Sequence, residues 1–94
     1  MSGCARPDKW CTNERKDILK MLEISGGTWQ QCGRVCTDSL GCGYWSFDGY
    51  RCYLFKEETT CHMGENTAKP NSIAYYHTYQ GEKNCPNGMN FNSN

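Results

Sequence analysis

Residues 28–56 read TWQQCGRVCTDSLGCGYWSFDGYRCYLFK, and they contain both the clearest helix start and the clearest hairpin signal of the chain. Thr28 is followed three residues later by Gln31, which is the pattern of a capping box. In that motif the threonine hydroxyl accepts a hydrogen bond from a backbone amide of the first turn, and the glutamine side chain accepts one from the threonine amide. We therefore expect a helix that ends at about Ser39, with Gly41 closing it in the left-handed conformation.

One face of this helix carries Trp29, Cys32 and Cys36, because these residues follow one another at intervals of three and four. Both thiols are therefore directed at one partner surface. The segment that follows, residues 43–55, is expected to supply that surface.

The hairpin signal in that segment is Asp48-Gly49, which lies between two aromatic-rich runs and favours a two-residue type I′ turn. Such a turn places Phe47 opposite Tyr50 and Trp45 opposite Cys52. Directly opposed residues share a face of the hairpin. The face that carries Cys52 is expected to meet the helix, and it comprises Gly43, Trp45, Phe47, Tyr50, Cys52 and Leu54. The other face comprises Tyr44, Ser46, Arg51, Tyr53 and Phe55.

The composition of the whole chain is that of a small domain stabilised by disulfides. Among 94 residues there are eight cysteines, but Leu, Ile, Val and Phe together number only eleven. A chain with so few aliphatic residues needs aromatic side chains and covalent cross-links to offset the conformational entropy of folding. We assign Trp29, Trp45 and Phe47 to the core. The even number of cysteines predicts complete pairing in an oxidising compartment, that is, a secreted or cell-surface location.

Charge and spacing exclude several classes of function. The formal net charge is zero and no run of basic residues occurs, so nucleic acid is not an expected partner. No apolar stretch is long enough to insert into a membrane. Structural zinc is disfavoured because no C-x-x-C pair occurs, and we expect no metal. The first residues lack the apolar region of a signal peptide, which suggests a module from a longer precursor.

The remaining segments carry weaker signals. Residues 17–24 fit a short helix or a strand equally well, because their apolar positions match both periods. Residues 57–71 are a polar loop, and alternation predicts a last strand over residues 72–80. An asparagine-rich end follows, which is typical of a linker.

The central spacing resembles that of the PAN/apple domain family. The matching pattern is Trp29-x2-Cys32-x3-Cys36-x5-Cys42-x2-Trp45-x-Phe47-x4-Cys52-x-Leu54. The resemblance implies an α+β, disulfide-rich fold in which one α-helix packs on a curved antiparallel β-sheet. It covers residues 11–85, with residues 1–10 as an N-terminal extension, partly added for expression, and residues 86–94 as a linker or tail.

The resemblance also implies a set of disulfides. In the family two nested bridges join the helix and the hairpin, and a third joins the two ends of the module. A preferred assignment of Cys11 to the third bridge leaves one additional pair. The reverse pairing of the ends, Cys4 with Cys85 and Cys11 with Cys61, stays open. The expected bridges are Cys32–Cys52, Cys36–Cys42, Cys11–Cys85 and Cys4–Cys61.

Catalysis is not expected. If all cysteines are oxidised the chain has no thiolate nucleophile, and neither of its two histidines lies near a serine or cysteine nucleophile motif. The acidic residues of the 57–71 loop are expected to be solvated surface charges. We therefore expect no enzyme and no cofactor.

Recognition is the function that the resemblance implies. PAN/apple domains are adhesive modules of larger secreted or surface proteins, including lectin-like members in apicomplexan surface adhesins and protein-binding members elsewhere. The expected partner is a glycan, or alternatively an extracellular protein receptor, together with other domains of the parent chain. Candidate ligand-binding side chains are aromatic, basic or imidazole groups on the outer hairpin face and near strand ends. They are Tyr44, Arg51, Tyr53, Lys56, His62, Tyr76 and His77.

Overall fold

The computed structural model describes residues 4–24, 27–65 and 78–85, which form a disulfide-rich α+β fold. Its strands are β1 (Arg6–Pro7), β2 (Lys9–Cys11), β3 (Ile18–Glu23), β4 (Cys42–Phe47), β5 (Arg51–Lys56), β6 (Met63–Glu65) and β7 (Tyr79–Glu82), its helix is α1 (Trp29–Asp38), and a single 3₁₀ turn (Arg15–Asp17) precedes β3. Five strands form an antiparallel sheet in the order β1-β7-β4-β5-β3, and β2 pairs with β6 in a separate ribbon. Helix α1 packs on one face of the sheet, and this part of the chain contains no helix that is long and apolar enough to span a membrane.

The predicted helix start is confirmed. The Thr28 hydroxyl accepts a hydrogen bond from the Gln31 amide at 3.3 Å, and the Gln31 side chain accepts one from the Thr28 amide at 2.8 Å. The helix ends at Asp38, and Gly41 follows with a φ of +90°. That left-handed conformation is one that glycine adopts without a steric penalty.

The predicted type I′ turn is wrong, because the hairpin turns one residue later. The backbone N–H of Asp48 donates to the carbonyl of Arg51 at 3.2 Å, so the two central residues are Gly49 and Tyr50. Gly49 has a φ of +92°, and Tyr50 is not among the positive-φ residues. This is the φ pattern of a type II′ turn, which requires glycine at its first central position. The Asp48 carboxylate stabilises the turn by accepting from the backbone amides of Tyr50 and Arg51.

The changed turn shifts the predicted strand register by two residues. Phe47 lies opposite Cys52 and Trp45 lies opposite Leu54, not opposite Tyr50 and Cys52 as expected. A shift of one residue would have exchanged the two faces, but a shift of two preserves them. Trp45, Phe47, Cys52 and Leu54 therefore do share the face that meets the helix.

That helix-side face holds the main core. Trp45 is completely buried, and its indole N–H donates to the carbonyl of Cys85 at 2.9 Å. Trp29 stacks on Trp45 with a centroid distance of 6.0 Å and an interplanar angle of 7°. The bridges Cys32–Cys52 and Cys36–Cys42, which the resemblance implied, join the helix to the hairpin here.

The opposite face of the sheet is partly covered by the ribbon of β2 and β6. Tyr44 and Phe55 are 3 % and 2 % exposed, and their rings stack with centroids 4.9 Å apart. Cys11 and the half-buried Cys61 pack against them as a second small core. The outer hairpin face is therefore not free along its whole length, contrary to the expectation from the hairpin alone.

The pairing preferred for the other two bridges is wrong. The structure contains Cys4–Cys85 and Cys11–Cys61 in place of Cys11–Cys85 and Cys4–Cys61. Strand pairing gives the reason: β1 pairs with β7 and brings the N-terminus to the last strand, whereas β2 pairs with β6 just after Cys61. Within the expected N-terminal extension, residues 1–10, the structure places Arg6–Pro7 in the sheet and Lys9 and Trp10 in the ribbon.

The structure also bears on two weaker expectations, those for segment 17–24 and for the last strand. The ambiguous segment 17–24 forms the strand β3 after the 3₁₀ turn. Strand β7 begins at Tyr79 and extends to Glu82, beyond the expected end of the last strand, while residues 72–77 lie outside the described residues. The expected tail, residues 86–94, also lies outside them.

Candidate binding cleft

A cleft of about 360 Å³ opens between the ribbon and the outer face of the five-stranded sheet. The ribbon side and the loop after it contribute one wall, and the sheet contributes the floor and the other wall. We refer to this space as the cleft. Its lining residues are Trp10, Cys11, Thr12, Asn13, Ile18, Ser46, Asp48, Tyr53 and Phe55.

The apolar part of the cleft consists mainly of aromatic rings. Phe55 is buried at the floor, Tyr53 is half-buried, and Trp10 remains 45 % exposed. Gly64, which pairs with Trp10 across the ribbon, leaves room for the indole, since a Cβ at this position would lie 2.7 Å from Trp10 Nε1. The cleft therefore presents aromatic surface to solvent instead of closing over it.

Two polar side chains of β4 and the following turn project into the same space. The Ser46 hydroxyl accepts a hydrogen bond from the backbone amide of Cys11 at 3.2 Å, which joins the sheet to the ribbon. Asp48 accepts from the amides of Tyr50 and Arg51 at 3.0 Å and 2.6 Å, both through Oδ1. These bonds fix the direction of the Asp48 carboxylate at the cleft.

Asn13 is the residue that holds the cleft's loops together. Its Nδ2 group donates to Asp17 Oδ2 at 2.9 Å, to the Thr60 carbonyl at 2.7 Å and to the Tyr44 hydroxyl at 3.1 Å. Its Oδ1 atom accepts from the backbone amide of His62 at 2.8 Å. One side chain thus joins the segment after β2, the sheet and the loop before β6.

Tyr44, a candidate ligand-binding residue, has a structural role. Its hydroxyl bonds to Thr59 Oγ1 at 2.6 Å, and Thr59 in turn donates to the carbonyl of Lys56 at 2.7 Å. Burial raises the pKa of Tyr44 above its usual value, and the hydrogen bond with Thr59 opposes part of that shift. The ring is not available to stack on a ligand because Phe55 and the ribbon cover it.

Two other candidates, Arg51 and Tyr53, lie at the edge of the cleft. Tyr53 lines it, whereas Arg51 stands just outside with its guanidinium 5.7 Å from the centre of the Tyr50 ring. A hydrogen bond with Tyr53 raises the pKa of Arg51. Glu23 lies 3.9 Å from Arg51 Nε and accepts a hydrogen bond from the Tyr50 hydroxyl, which raises the pKa of Tyr50.

The structure does not bring Lys56 or His62 to the cleft. Lys56 is half-buried at the end of β5, opposite Cys42, and His62 is exposed in the loop before β6. Neither residue lines the cleft. Tyr76 and His77 lie outside the described residues.

The residues that sequence reasoning missed come mostly from the segment after β1. Trp10, Thr12 and Asn13 precede the recognisable 28–56 stretch, and their role depends on the ribbon, which no local pattern predicts. The only sequence signal is that an asparagine in a polar segment readily bonds to neighbouring backbone. The sequence pattern identifies Asp48, but only as a turn residue.

Comparison of the chain with protein-family models, with curated proteins and with solved structures finds no match. The chemistry of the lining residues is therefore the basis for a function of the cleft.

Proposed function

We propose that this chain is an extracellular recognition module that binds carbohydrate in the cleft. The observation that carries the proposal is the combination of partly exposed Trp10 and Tyr53 with the Asp48 carboxylate around one open space. Sugars present apolar ring faces, which stack on aromatic side chains, and hydroxyl groups, which carboxylates and amides bind through hydrogen bonds.

The size of the cleft suits a small part of a glycan. At about 360 Å³ it lies at the lower end of the range for small-molecule sites, about 300–1,000 Å³. One or two sugar rings would fill such a space. A site of this size supports weak monovalent binding, so several copies in a parent chain would raise the overall affinity through avidity.

The disulfides support the extracellular part of the proposal. All eight cysteines are paired, and four disulfides in so short a chain are typical of proteins from an oxidising compartment. We propose PAN/apple as the family, on the spacing of residues 29–54 and the two nested bridges. We propose no catalytic role, because a disulfide-bonded cysteine provides no thiolate.

A glycan array followed by titration of the best-bound oligosaccharide tests the proposal. We expect Trp10→Ala to weaken binding by tenfold or more, because it removes the most exposed ring of the cleft. Met63→Ala is the matched control: Met63 lies on the same ribbon and is 46 % exposed, but it does not line the cleft. An array without binding, or equal losses for both variants in folded protein, would contradict carbohydrate binding in the cleft.

Exposed apolar side chains favour a second candidate, a protein–protein interaction. Trp10, Met21 and Met63 are 45 %, 47 % and 46 % exposed, and Met21 lies beside Tyr53 on the edge strand β3. Aromatic residues and methionine are enriched in protein interfaces. This candidate predicts that Met21→Ala weakens binding to a protein partner, whereas carbohydrate binding in the cleft leaves Met21 without a role.

A further inference from the structure

The charges that line the cleft are all of one sign. Among its described lining residues the Asp48 carboxylate is the single charged group, and no lysine, arginine or histidine is present. An acidic ligand would bring a second negative charge to this carboxylate, with no cation in the lining to compensate. A ligand with a positive charge would instead find an opposite charge already in place.

Charged groups around the cleft do not place a cation among its lining residues. On β5, Arg51 attracts Asp48, but its charge is shared with Glu23, and it also contacts the Tyr50 ring and Tyr53. In the 3₁₀ turn before β3, Asp17 adds a carboxylate, and the exposed Arg15 and Lys16 add two cations, but none of the three lines the cleft. The ribbon contributes an ion pair, Lys9 with Glu65, whose charges cancel. Within the lining itself the one charge is therefore the negative charge of Asp48, although the chain as a whole is neutral.

The Asp48 carboxylate is held in position to act on a ligand. Oδ1 is bound by the backbone amides of Tyr50 and Arg51, at 3.0 Å and 2.6 Å, and these bonds fix the direction of the carboxylate. The carboxylate is half-buried, so its attraction for a cation is screened less than that of a fully exposed group.

The aromatic walls favour the same ligand charge. Trp10 and Tyr53 present rings to the cleft, and Phe55 forms its floor. The face of an aromatic ring attracts a cation, with tryptophan the strongest of the three residue types. A carboxylate and aromatic rings together form a binding site for an ammonium group attached to an apolar framework.

Resting on the proposal that the cleft binds carbohydrate, we propose that it selects amino sugars with a free, protonated amine and that Asp48 pairs with that ammonium group. The sugar ring then lies against Trp10 or Tyr53. Sugars with carboxylate or sulfate groups are excluded by repulsion from Asp48.

A matched pair of oligosaccharides tests the selection. An oligomer of β-1,4-linked glucosamine and its N-acetylated counterpart of the same length differ only in the charge and acetylation of the amine. Calorimetric titration would be run at about pH 6, below the ordinary pKa of an amine, and at low salt. We expect the free-amine oligomer to bind about tenfold or more tightly, as a charge-assisted hydrogen bond predicts.

Two variants distinguish the role of Asp48 from general electrostatics. Asp48→Asn keeps an oxygen that can accept from the turn amides, and we expect it to reduce the preference for the free-amine oligomer to about one, because binding of that oligomer falls much more than binding of the acetylated one. Asp38→Asn makes the same change on the exposed end of α1, away from the cleft, and should keep the full preference.

The outcomes separate this inference from the proposed function. Equal binding of the two oligomers, tighter binding of the acetylated one, or binding confined to other glycans would overturn selection for an amine while leaving carbohydrate binding intact. An equal loss of both oligomers in Asp48→Asn would show that Asp48 only supports the turn and would overturn its role. Absence of binding to every glycan would overturn both.

Discussion

At the residue scale, two glycines lie against tryptophan rings, and substitutions at the two positions should affect different properties of the protein. A Cβ at Gly64 would come within 2.7 Å of the exposed Trp10 ring, and a Cβ at Gly81 would come within 2.4 Å of the buried Trp45 ring. The same Cβ at Gly64 would lie 2.6 Å from the Thr12 methyl group. Because Trp10 and Thr12 are both exposed and can move into solvent, we expect Gly64→Ala to lower stability by less than about 1 kcal/mol and to weaken glycan binding severalfold. Gly81→Ala should lower stability by about 1–3 kcal/mol, since Trp45 has no space to move, and should leave binding by the folded protein unchanged.

Thermal unfolding and glycan titration of the two variants check this pair. If Gly64→Ala binds glycan as tightly as the parent chain, the position of the Trp10 ring does not matter for binding. If Gly81→Ala is as stable as the parent chain, the packing around Trp45 is looser than the structure shows.

At the element scale, the helix and the hairpin show which local sequence signals are sufficient to predict an element. The capping box predicted the first turn of α1 because both of its hydrogen bonds depend on residues three apart in sequence. The predicted hairpin turn lies one residue too early in the chain. The Asp48 carboxylate bonds to backbone amides of the turn, and a dipeptide pattern does not include such side-chain bonds. Face alternation nevertheless identified Trp45 and Cys52 correctly, since the register shift was two residues.

The helix cap gives a prediction at this scale. We expect Thr28→Ala to lower the free energy of unfolding by about 1 kcal/mol, because the Gln31 amide loses its side-chain acceptor. Thr28→Ser keeps the hydroxyl and should cost only a few tenths of that amount. Chemical denaturation followed by circular dichroism measures both, and equal losses for the two variants would show that the hydroxyl contributes nothing to the cap.

At the scale of the whole molecule, the cleft could not be predicted because it depends on contacts between distant parts of the chain. The ribbon joins Lys9–Cys11 to Met63–Glu65, and Asn13 joins the same two regions through the amide of His62. Neither segment has a local pattern that selects its partner. The outer face of the hairpin was identified from alternation, but which part of it the ribbon covers depends on whether Cys11 pairs with Cys61 or with Cys85.

The Cys11–Cys61 bridge should therefore be required for the cleft more than for the main core. It closes a loop with a sequence separation of 50, which corresponds to about 4 kcal/mol in the chain-entropy model, against about 2 kcal/mol for Cys36–Cys42 with a separation of 6. A two-stranded ribbon is marginally stable without such a constraint. We expect replacement of Cys11 and Cys61 by alanine to abolish glycan binding while the buried Trp45 keeps its native fluorescence. Replacement of Cys36 and Cys42 should lower the thermal midpoint and leave binding intact below it. Glycan binding that persists without the Cys11–Cys61 bridge would mean that strand pairing alone holds the ribbon on the sheet.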